Sequence, residues 1–182
     1  MVTDGNVNKG VVRKLAREQL KQYGLRLLGS RALTEVEVRT KLTRRAEDEA
    51  DVGAIIEELR GYGFLNDERF AEHFASARRD SGVAGKQRVL RDLRVRRVAG
   101  PVAEEAVKAA YEDADEVAMV RAWLERKMRN VDLAEYLSEE KHLASVYRKL
   151  RYAGFASNAI LPVLRKFSSR ANDLEDSDEG EP

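Results

Sequence analysis

The stretch that decides the fold lies at residues 61–70 and reads G-Y-G-F-L-N-D-E-R-F. Its two glycines can adopt the left-handed backbone conformation with which many helices end. Asn66 can cap a new helix through its side-chain oxygen. Asp67 and Glu68 then fall in the first turn, where the helix dipole favours negative charge. The stretch therefore predicts a corner at which one helix ends and the next begins.

Helical periodicity continues on both sides of this corner. Apolar residues recur at steps of three and four from Lys9 onward, which predicts nine helices and an all-α chain. Thr34 and Glu37 have the spacing of a capping box at the start of the second helix. The N-caps predicted for later helices are Asp51, Ser138 and Ser157.

The chain also repeats itself. The pairs Val38 and Leu42, Val89 and Leu93, and Val146 and Leu150 share a spacing of four. Positions ten, fourteen and seventeen residues after each leucine are all apolar, namely Val52, Ile56 and Leu59, then Ala103, Val107 and Ala110, then Ile160, Leu164 and Phe167. Agreement at every position indicates an internal repeat.

The repeat predicts the domain organisation. We expect a loose N-terminus at 1–8, three-helix repeats at 9–61, 62–112 and 113–169, and a disordered acidic tail at 170–182. Units of roughly 50 residues bury little core alone and pack only against sequence neighbours. The sequence therefore predicts tandem three-helix bundles in an elongated, curved array, and a monomer.

Composition narrows the possible functions. The absence of cysteine excludes disulfides and thiolate metal sites. No apolar run approaches about 18 residues and no secretory signal is recognisable, so we expect a cytoplasmic protein. Residues 171–182 contain six acids and no base, and removing them from the net charge of +1 leaves about +7 for the rest. A basic body permits a nucleic acid or an acidic protein as partner.

No catalytic constellation is recognisable. His73 and His142 are distant in sequence, and the carboxylates near His73 are better explained as helix-start residues than as metal ligands. Residues 82–86 lack the spacing of a phosphate-binding loop. We therefore expect no enzyme activity, no metal and no cofactor.

The strongest candidate for a binding surface is the basic helix at residues 86–97, in which six bases face a single acid, Asp92. Solvated helix faces usually mix the two signs, so this excess indicates a surface for an anionic partner. Bases also flank the repeat leucines of the other two units. The predicted contact residues are Lys86, Arg88, Arg91, Arg94, Arg96 and Arg97, with Arg39, Lys41, Arg44 and Arg45 in the first repeat and Arg148, Lys149 and Arg151 in the third.

Two further expectations concern this basic helix and its surroundings. Tyr152 and Tyr147 are the candidates for stacking on nucleic-acid bases, and we expect neither to do so. We also expect Val89 and Leu93 to carry the core of the helix, so that reversing Arg88, Arg91 and Arg94 leaves the fold intact.

Three segments together resemble the RecX family. They are L-L-G-S-R-A-L-T-E-V-E-V-R-T-K-L at 27–42, G-F-L-N-D-E-R-F-A-E at 63–72 and K-L-R-Y-A-G-F at 149–155, and the likeness covers residues 23–168. Thr34 stands where the family commonly has serine, and residues 46–50 form an acidic loop in place of a short glycine turn. The first 20 residues and the acidic tail resemble additions to the family pattern.

The resemblance implies a function. Members of the family are arrays of three-helix units that are not enzymes. They bind the recombinase RecA or its filament on single-stranded DNA and inhibit filament growth, ATP hydrolysis and strand exchange. The resemblance thus implies a role in homologous recombination, DNA repair and the SOS response, with weak direct DNA binding also open. Capping of filament ends and wedging between protomers both stay open.

The alternative is a helix-turn-helix repressor, because a three-helix unit can place its last helix in the major groove of DNA. Recognition helices usually begin with Asn, Gln or Arg, which read base edges. The third helices are predicted to begin Val52-Gly53, Val102-Ala103 and Asn158-Ala159, which are poor base readers.

Overall fold

The computed structural model describes residues 13–174, where the backbone is helical apart from connections and one isolated bridge between Leu15 and Ala46. The all-α prediction is confirmed within that range. The predicted loose residues 1–8, and the predicted helix start at Lys9, lie outside the described residues. The elements are α1 Arg17–Ser30, α2 Glu35–Thr43, α3 Ala50–Gly61, α4 Asp67–Asp80, α5 Lys86–Val95, α6 Gly100–Tyr111, α7 Glu116–Lys127, α8 Leu133–Ser138, α9 Glu140–Tyr152, α10 Ser157–Leu164 and a 3-10 helix Ser169–Leu174.

The chain divides into two compact units at Asp67 and Glu68. In the first unit, α1 to α3 enclose one core, in which Leu20, Val38, Leu42, Ile56 and Leu59 are fully buried. The apolar steps of the sequence put these side chains on the inward faces of their helices.

The capping box at the start of α2 is confirmed. The Thr34 hydroxyl accepts from the Glu37 amide at 3.3 Å, and the Thr34 amide donates to Glu37 Oε2 at 3.0 Å. Since Thr34 is completely buried, its backbone amide is shielded from water and has its acceptor in the Glu37 side chain. This cap fixes where α2 begins.

The glycine-rich corner ends α3 as the sequence predicts. Gly63 has φ +73°, and the amides of Phe64 and Leu65 donate to the Leu59 carbonyl at 3.0 and 3.3 Å. The left-handed turn carries the chain away from the helix axis, and the aromatic residues Tyr62 and Phe64 lie outside the core. Their side chains are 64% and 53% exposed.

Asp67 ties this corner to a second helix. Its Oδ1 accepts from the Glu35 amide at the start of α2 at 2.9 Å, so the corner also supplies a cap for α2. Burial raises the pKa of Asp67 even though this hydrogen bond acts in the opposite direction. The role of Asn66 as N-cap of α4 stays a prediction.

Two ion-pair groups lie around α3 of the first unit. Glu58 accepts from Arg17 Nη2 at 2.8 Å and from Lys21 Nζ at 2.6 Å. These hydrogen bonds, first that of Lys21 and then that of Arg17, lower the pKa of Glu58. Burial alone would raise the pKa of Glu35, but hydrogen bonds from Arg60 and Arg39 outweigh it and lower that pKa.

The second unit contains two cores. One is built by α4, α5 and α6 and includes Ala71, Val89, Leu93, Ala103 and Tyr111. The buried Tyr111 hydroxyl donates to the Ala84 carbonyl at 2.8 Å, and burial raises its pKa to about 12.

The other core of this unit is built by the elements from α7 onward and includes Val120, Leu137, Leu150 and Ile160. Each repeat valine and leucine identified in the sequence is buried, as are all the third-helix positions except Phe167, which is partly buried. The tandem three-helix fold is therefore confirmed, whereas the predicted repeat boundaries stay a prediction.

Several predicted helix starts are wrong. The α3 helix begins one residue before Asp51, and Asp48 Oδ1 accepts from the Ala50 amide instead. Ser138 ends α8, a short helix that the sequence did not indicate and that Asp132 caps. Ser157 is the first residue of α10, and its hydroxyl lies 2.9 Å from the Tyr147 hydroxyl. In each case the side chain of another residue, Asp48, Asp132 or Tyr147, forms the hydrogen bond found near the predicted helix start.

Ala71 and Ala75 occupy the core face of α4, whereas Ala77 is exposed. The end of the described chain differs from expectation. The predicted disordered tail begins at residue 170, but Ser169–Leu174 forms a 3-10 helix whose Ala171 is buried in the last core. Residues 175–182 lie outside the described part of the chain. None of the helices between residues 13 and 174 is long and apolar enough to cross a membrane.

Candidate functional site

A groove of about 840 Å³ opens in the second unit between helices of its two cores. Its lining includes five bases, one acid and three aromatic rings, namely Arg78, Arg88, Lys127, Arg148 and Lys149, then Asp92, then Trp123, Tyr136 and Tyr152. Since cations outnumber anions so strongly, the groove suits an anionic ligand or an acidic segment of a protein.

Two glycines hold one end of the groove together. The Gly85 amide donates to the Ala153 carbonyl at 2.9 Å, and the Gln87 amide donates to the Gly154 carbonyl at 3.2 Å. A β-carbon on Gly85 would lie 2.7 Å from the Phe155 amide nitrogen, closer than any real side chain approaches. Backbone therefore packs directly on backbone where α5 begins and α9 ends.

Tyr152 reinforces this junction. The guanidinium groups of Arg88 and Arg91 lie 5.0 and 5.6 Å from the centre of its ring. Arg91 also donates to the Tyr152 carbonyl at 3.1 Å, and Arg88 donates to Asp92 at 3.2 Å. Cation–π contacts at exposed sites are worth about 0.5–1 kcal/mol each. Arg88 and Arg91 thus position two elements, a role that the sequence did not indicate.

Tyr152 itself stays 68% exposed, so an exposed ring does lie among bases, whereas Tyr147 is buried. That neither ring stacks on a nucleic-acid base stays a prediction.

The rest of the predicted basic helix is spread over different surroundings. Arg94 forms an ion pair with Glu104 at 3.0 Å, and the Arg96 guanidinium lies 4.5 Å from the centre of the Phe70 ring. Arg97 is exposed, with φ +63°, and Lys86 lines a separate, smaller pocket. Arg88, Arg91, Arg94 and Arg96 each have a partner within the chain, and contact of the basic helix with an anionic partner stays a prediction.

The basic residues predicted in the first and third repeats likewise lie in different surroundings. In the third group, Arg148 and Lys149 are exposed and line the groove, whereas Arg151 donates to the Phe155 carbonyl at 3.3 Å. In the first unit, Arg39 pairs with Glu35 at 3.1 Å and Arg45 lies 4.8 Å from the centre of the Tyr23 ring. Lys41 and Arg44 are the remaining members of that first group and lie on α2 and at its end.

Sequence reasoning missed part of the groove. Arg78 lies near the end of α4 and Lys127 ends α7, each far in sequence from Arg148. A basic residue in the last turn of a helix is ordinarily read as a partner of the helix dipole. Only the fold brings these bases to one surface.

The groove offers charge and aromatic surface rather than metal-ligand chemistry. No group of three or more His, Asp or Glu residues among the described positions could hold a metal ion. His142 stacks on Tyr136 with ring centres 4.0 Å apart, and its Nδ1 lies 3.2 Å from the Tyr136 carbonyl. This histidine therefore has a packing role at the edge of the groove.

These helices and cores define an all-α protein of tandem three-helix domains. Residues 21–59 match the family model for the first three-helix domain of RecX, and residues 66–107 match the model for the second. The chain belongs to the RecX family.

Curated relatives agree with this assignment. The chain is 32% identical over 159 residues to the regulatory protein RecX of Deinococcus radiodurans, covering 85% of this chain and 71% of the relative. It is 38% identical over 112 residues to that of Halorhodospira halophila, covering 62% and 68%. The family gives this chain a regulatory role.

Solved structures support the fold. A crystal structure of RecX from Lactobacillus salivarius superposes with a TM-score of 0.63 at 17% identity, covering 83% of this chain and 96% of that one. A second crystal structure of a regulatory protein RecX gives 0.64 at 19% identity, covering 81% and 70%.

Proposed function

We propose that this chain regulates homologous recombination and DNA repair by binding RecA or the RecA filament on single-stranded DNA. Bound there, it inhibits filament growth, ATP hydrolysis and strand exchange. It acts by binding and not by catalysis, and in the cytoplasm, where the chromosome lies. Membership of the RecX family supports the choice of partner.

The observation that carries the proposal is the basic groove. A nucleoprotein filament presents two anionic surfaces, the phosphates of its DNA and the carboxylates of its protein. Lys127, Arg148 and Lys149 lie on the groove with no ion pair to any residue within 13–174. These bases are therefore available to either surface at modest desolvation cost.

The proposed contacts divide by role. Arg148 and Lys149 make the main contact, with Lys127 and Arg78 beside them. Arg88 and Arg91 maintain the shape of the groove through their contacts with Tyr152. The half-buried Lys86 and Lys41 and the exposed Arg97 and Arg44 add weaker, salt-sensitive attraction, as bases at the rim of interfaces do.

A helix-turn-helix repressor gains no support from the structure. The third helices α3, α6 and α10 have no base in their first turns, and α3 has Asp51 there. A recognition helix must approach DNA with its N-terminal residues, where an acid repels phosphates.

The test is the DNA-dependent ATPase activity of RecA on single-stranded DNA. We expect hydrolysis to fall at amounts of the chain near or below those of RecA. Hydrolysis that stays unchanged up to a tenfold excess of the chain would contradict the proposal. Sedimentation of the chain with RecA, in the presence and absence of DNA and nucleotide, shows which form it binds.

A further inference from the structure

We propose that the acidic segment after Leu174 binds back into the basic groove of its own chain and occupies it. The intact protein would then cover the groove until an anionic partner displaces the segment. This inference concerns the chain alone and stands independently of the proposed function.

Charge complementarity is the first support. The segment after Leu174, residues 175–182, contains five acids and no base. The groove contains five bases and one acid, and that acid, Asp92, already accepts from Arg88. Lys127, Arg148 and Lys149 take part in no ion pair among residues 13–174. A net excess of four cations in the groove thus lies in the same unit as a segment with an excess of five anions.

The point at which the described chain ends is the second support. The last 3-10 helix packs on α9 and α10, and Arg170 lies 3.7 Å from Glu140 at the start of α9. Arg148 is eight residues further along the same helix, a rise of about 12 Å at 1.5 Å per residue. Residues 175–182 can span up to about 26–29 Å when extended. The segment is therefore long enough to reach Arg148 and Lys149.

Tethering makes a weak contact sufficient. Exposed ion pairs contribute little individually, but a short linker holds the segment at an effective concentration in the millimolar range. Pro182 is the only apolar side chain of the segment, so its attraction to the groove is mainly electrostatic. Occupancy should therefore fall steeply with salt.

The test uses the full chain, which has no native cysteine to interfere. We place one cysteine in the groove with Ser145→Cys and one in the segment with Ser177→Cys, and measure the rate of disulfide formation. We expect the rate to be at least tenfold faster at about 20 mM salt than at about 1 M salt, where the Debye length is only about 3 Å.

Two charge reversals in this cysteine pair separate the groove from general charge. Arg148→Glu with Lys149→Glu should lower the low-salt rate to the high-salt rate. Lys108→Glu with Arg121→Glu makes the same change of charge on exposed positions of α6 and α7 and should leave the rate unchanged. Equal rates in the two reversals would overturn the proposal.

A second variant guards against misfolding of the groove reversal. Replacing Glu175, Asp176, Asp178, Glu179 and Glu181 by their amides changes no described residue. In the cysteine pair, this neutral segment should also lose the tenfold advantage at low salt. A neutral segment that cross-links as fast as the acidic one would equally overturn the proposal.

Discussion

Gly154 lies so close to Arg88 that a β-carbon added to Gly154 would be 2.5 Å from the β-carbon of Arg88. Gly154 also has φ +91°, a conformation that other residues rarely adopt. Both facts require glycine at the point where α9 ends against the start of α5.

Gly154→Ala should therefore destabilise the protein. Backbone strain and the steric clash each cost about 1–3 kcal/mol, and the loss in free energy of unfolding should be about 3 kcal/mol. Urea unfolding followed by helical circular dichroism measures it. Gly53→Ala is the matched control, because a β-carbon there meets nothing within 4 Å in the interior of α3. That control should gain about 0.5–1 kcal/mol, and an equal response of the two variants would contradict the role of Gly154.

Thr34→Ala should remove the capping box of α2. The expected loss in free energy of unfolding is about 1 kcal/mol, since the Glu37 amide loses its acceptor. Thr40→Ala is the control, because the Thr40 hydroxyl only donates to the Val36 carbonyl of its own helix. A Thr34→Ala variant as stable as Thr40→Ala would show that the cap contributes nothing.

Glu58 should make stability depend on pH. Its pKa in the folded chain is lowered by Lys21 and Arg17, so folding favours the charged form. The contribution is fully present above the ordinary pKa of 4.5 and is lost as the pH falls through the lower, folded value. Glu58→Gln should thus be less stable than the parent at pH 7, and the gap should narrow as the pH is lowered below 4.5. Unfolding of both proteins over this pH range measures the gap, and a gap that does not change with pH would refute this linkage.

Groove bases should matter more for binding than for folding. We expect Arg148→Glu with Lys149→Glu to weaken RecA-filament binding at least tenfold, the scale of interfacial charge pairs. Both side chains are exposed, so each change should cost within about 0.5 kcal/mol of stability. Lys108→Glu with Arg121→Glu is the control for net charge. Equal loss of binding in both variants would indicate that overall charge, and not the groove, attracts the filament.

Salt distinguishes the two anionic surfaces of a filament. If the groove binds DNA phosphates, affinity for naked single strands should fall with log salt at a slope near −0.7 per contact. If it binds carboxylates of RecA, naked strands should bind weakly at every salt concentration while filament binding is lost in the groove reversal. Fluorescence anisotropy of a labelled oligothymidine over a salt series makes the distinction.

The repeat pattern predicts an elongated monomer. A globular chain of 182 residues should have a radius of gyration of about 16 Å, and we expect small-angle scattering to give a clearly larger value. A monomer close to 16 Å would contradict the prediction.

The sequence predicted those features that depend on neighbouring residues. Thr34 and Glu37 lie one helical turn apart, so their reciprocal hydrogen bonds are encoded locally. The spacing of Val38 and Leu42 likewise commits one helix face to the core whatever packs against it. Periodicity of this kind is sufficient to establish an all-α fold of repeated three-helix domains.

Features that depend on distant residues were missed. Ser138 has the chemistry of an N-cap, but Asp132 caps an earlier helix, α8, and Ser138 is the last residue of that helix. Arg78 and Lys127 reach the groove only because α4 and α7 pack near α9, and nothing in the local sequence indicates this. The same holds for Arg88, whose partner Tyr152 is far along the chain.

Hydrogen exchange at the junction of Gly85 and Gly154 also reports on motion of the groove. The amides of Gly85 and Gln87 donate across it to the carbonyls of Ala153 and Gly154, so their hydrogens exchange with solvent only when α5 separates from the end of α9. Exchange at these two amides therefore reports how often the groove loses its shape. A ligand that clamps the groove should slow both amides together, whereas one that merely neutralises its charge should leave their exchange unaltered.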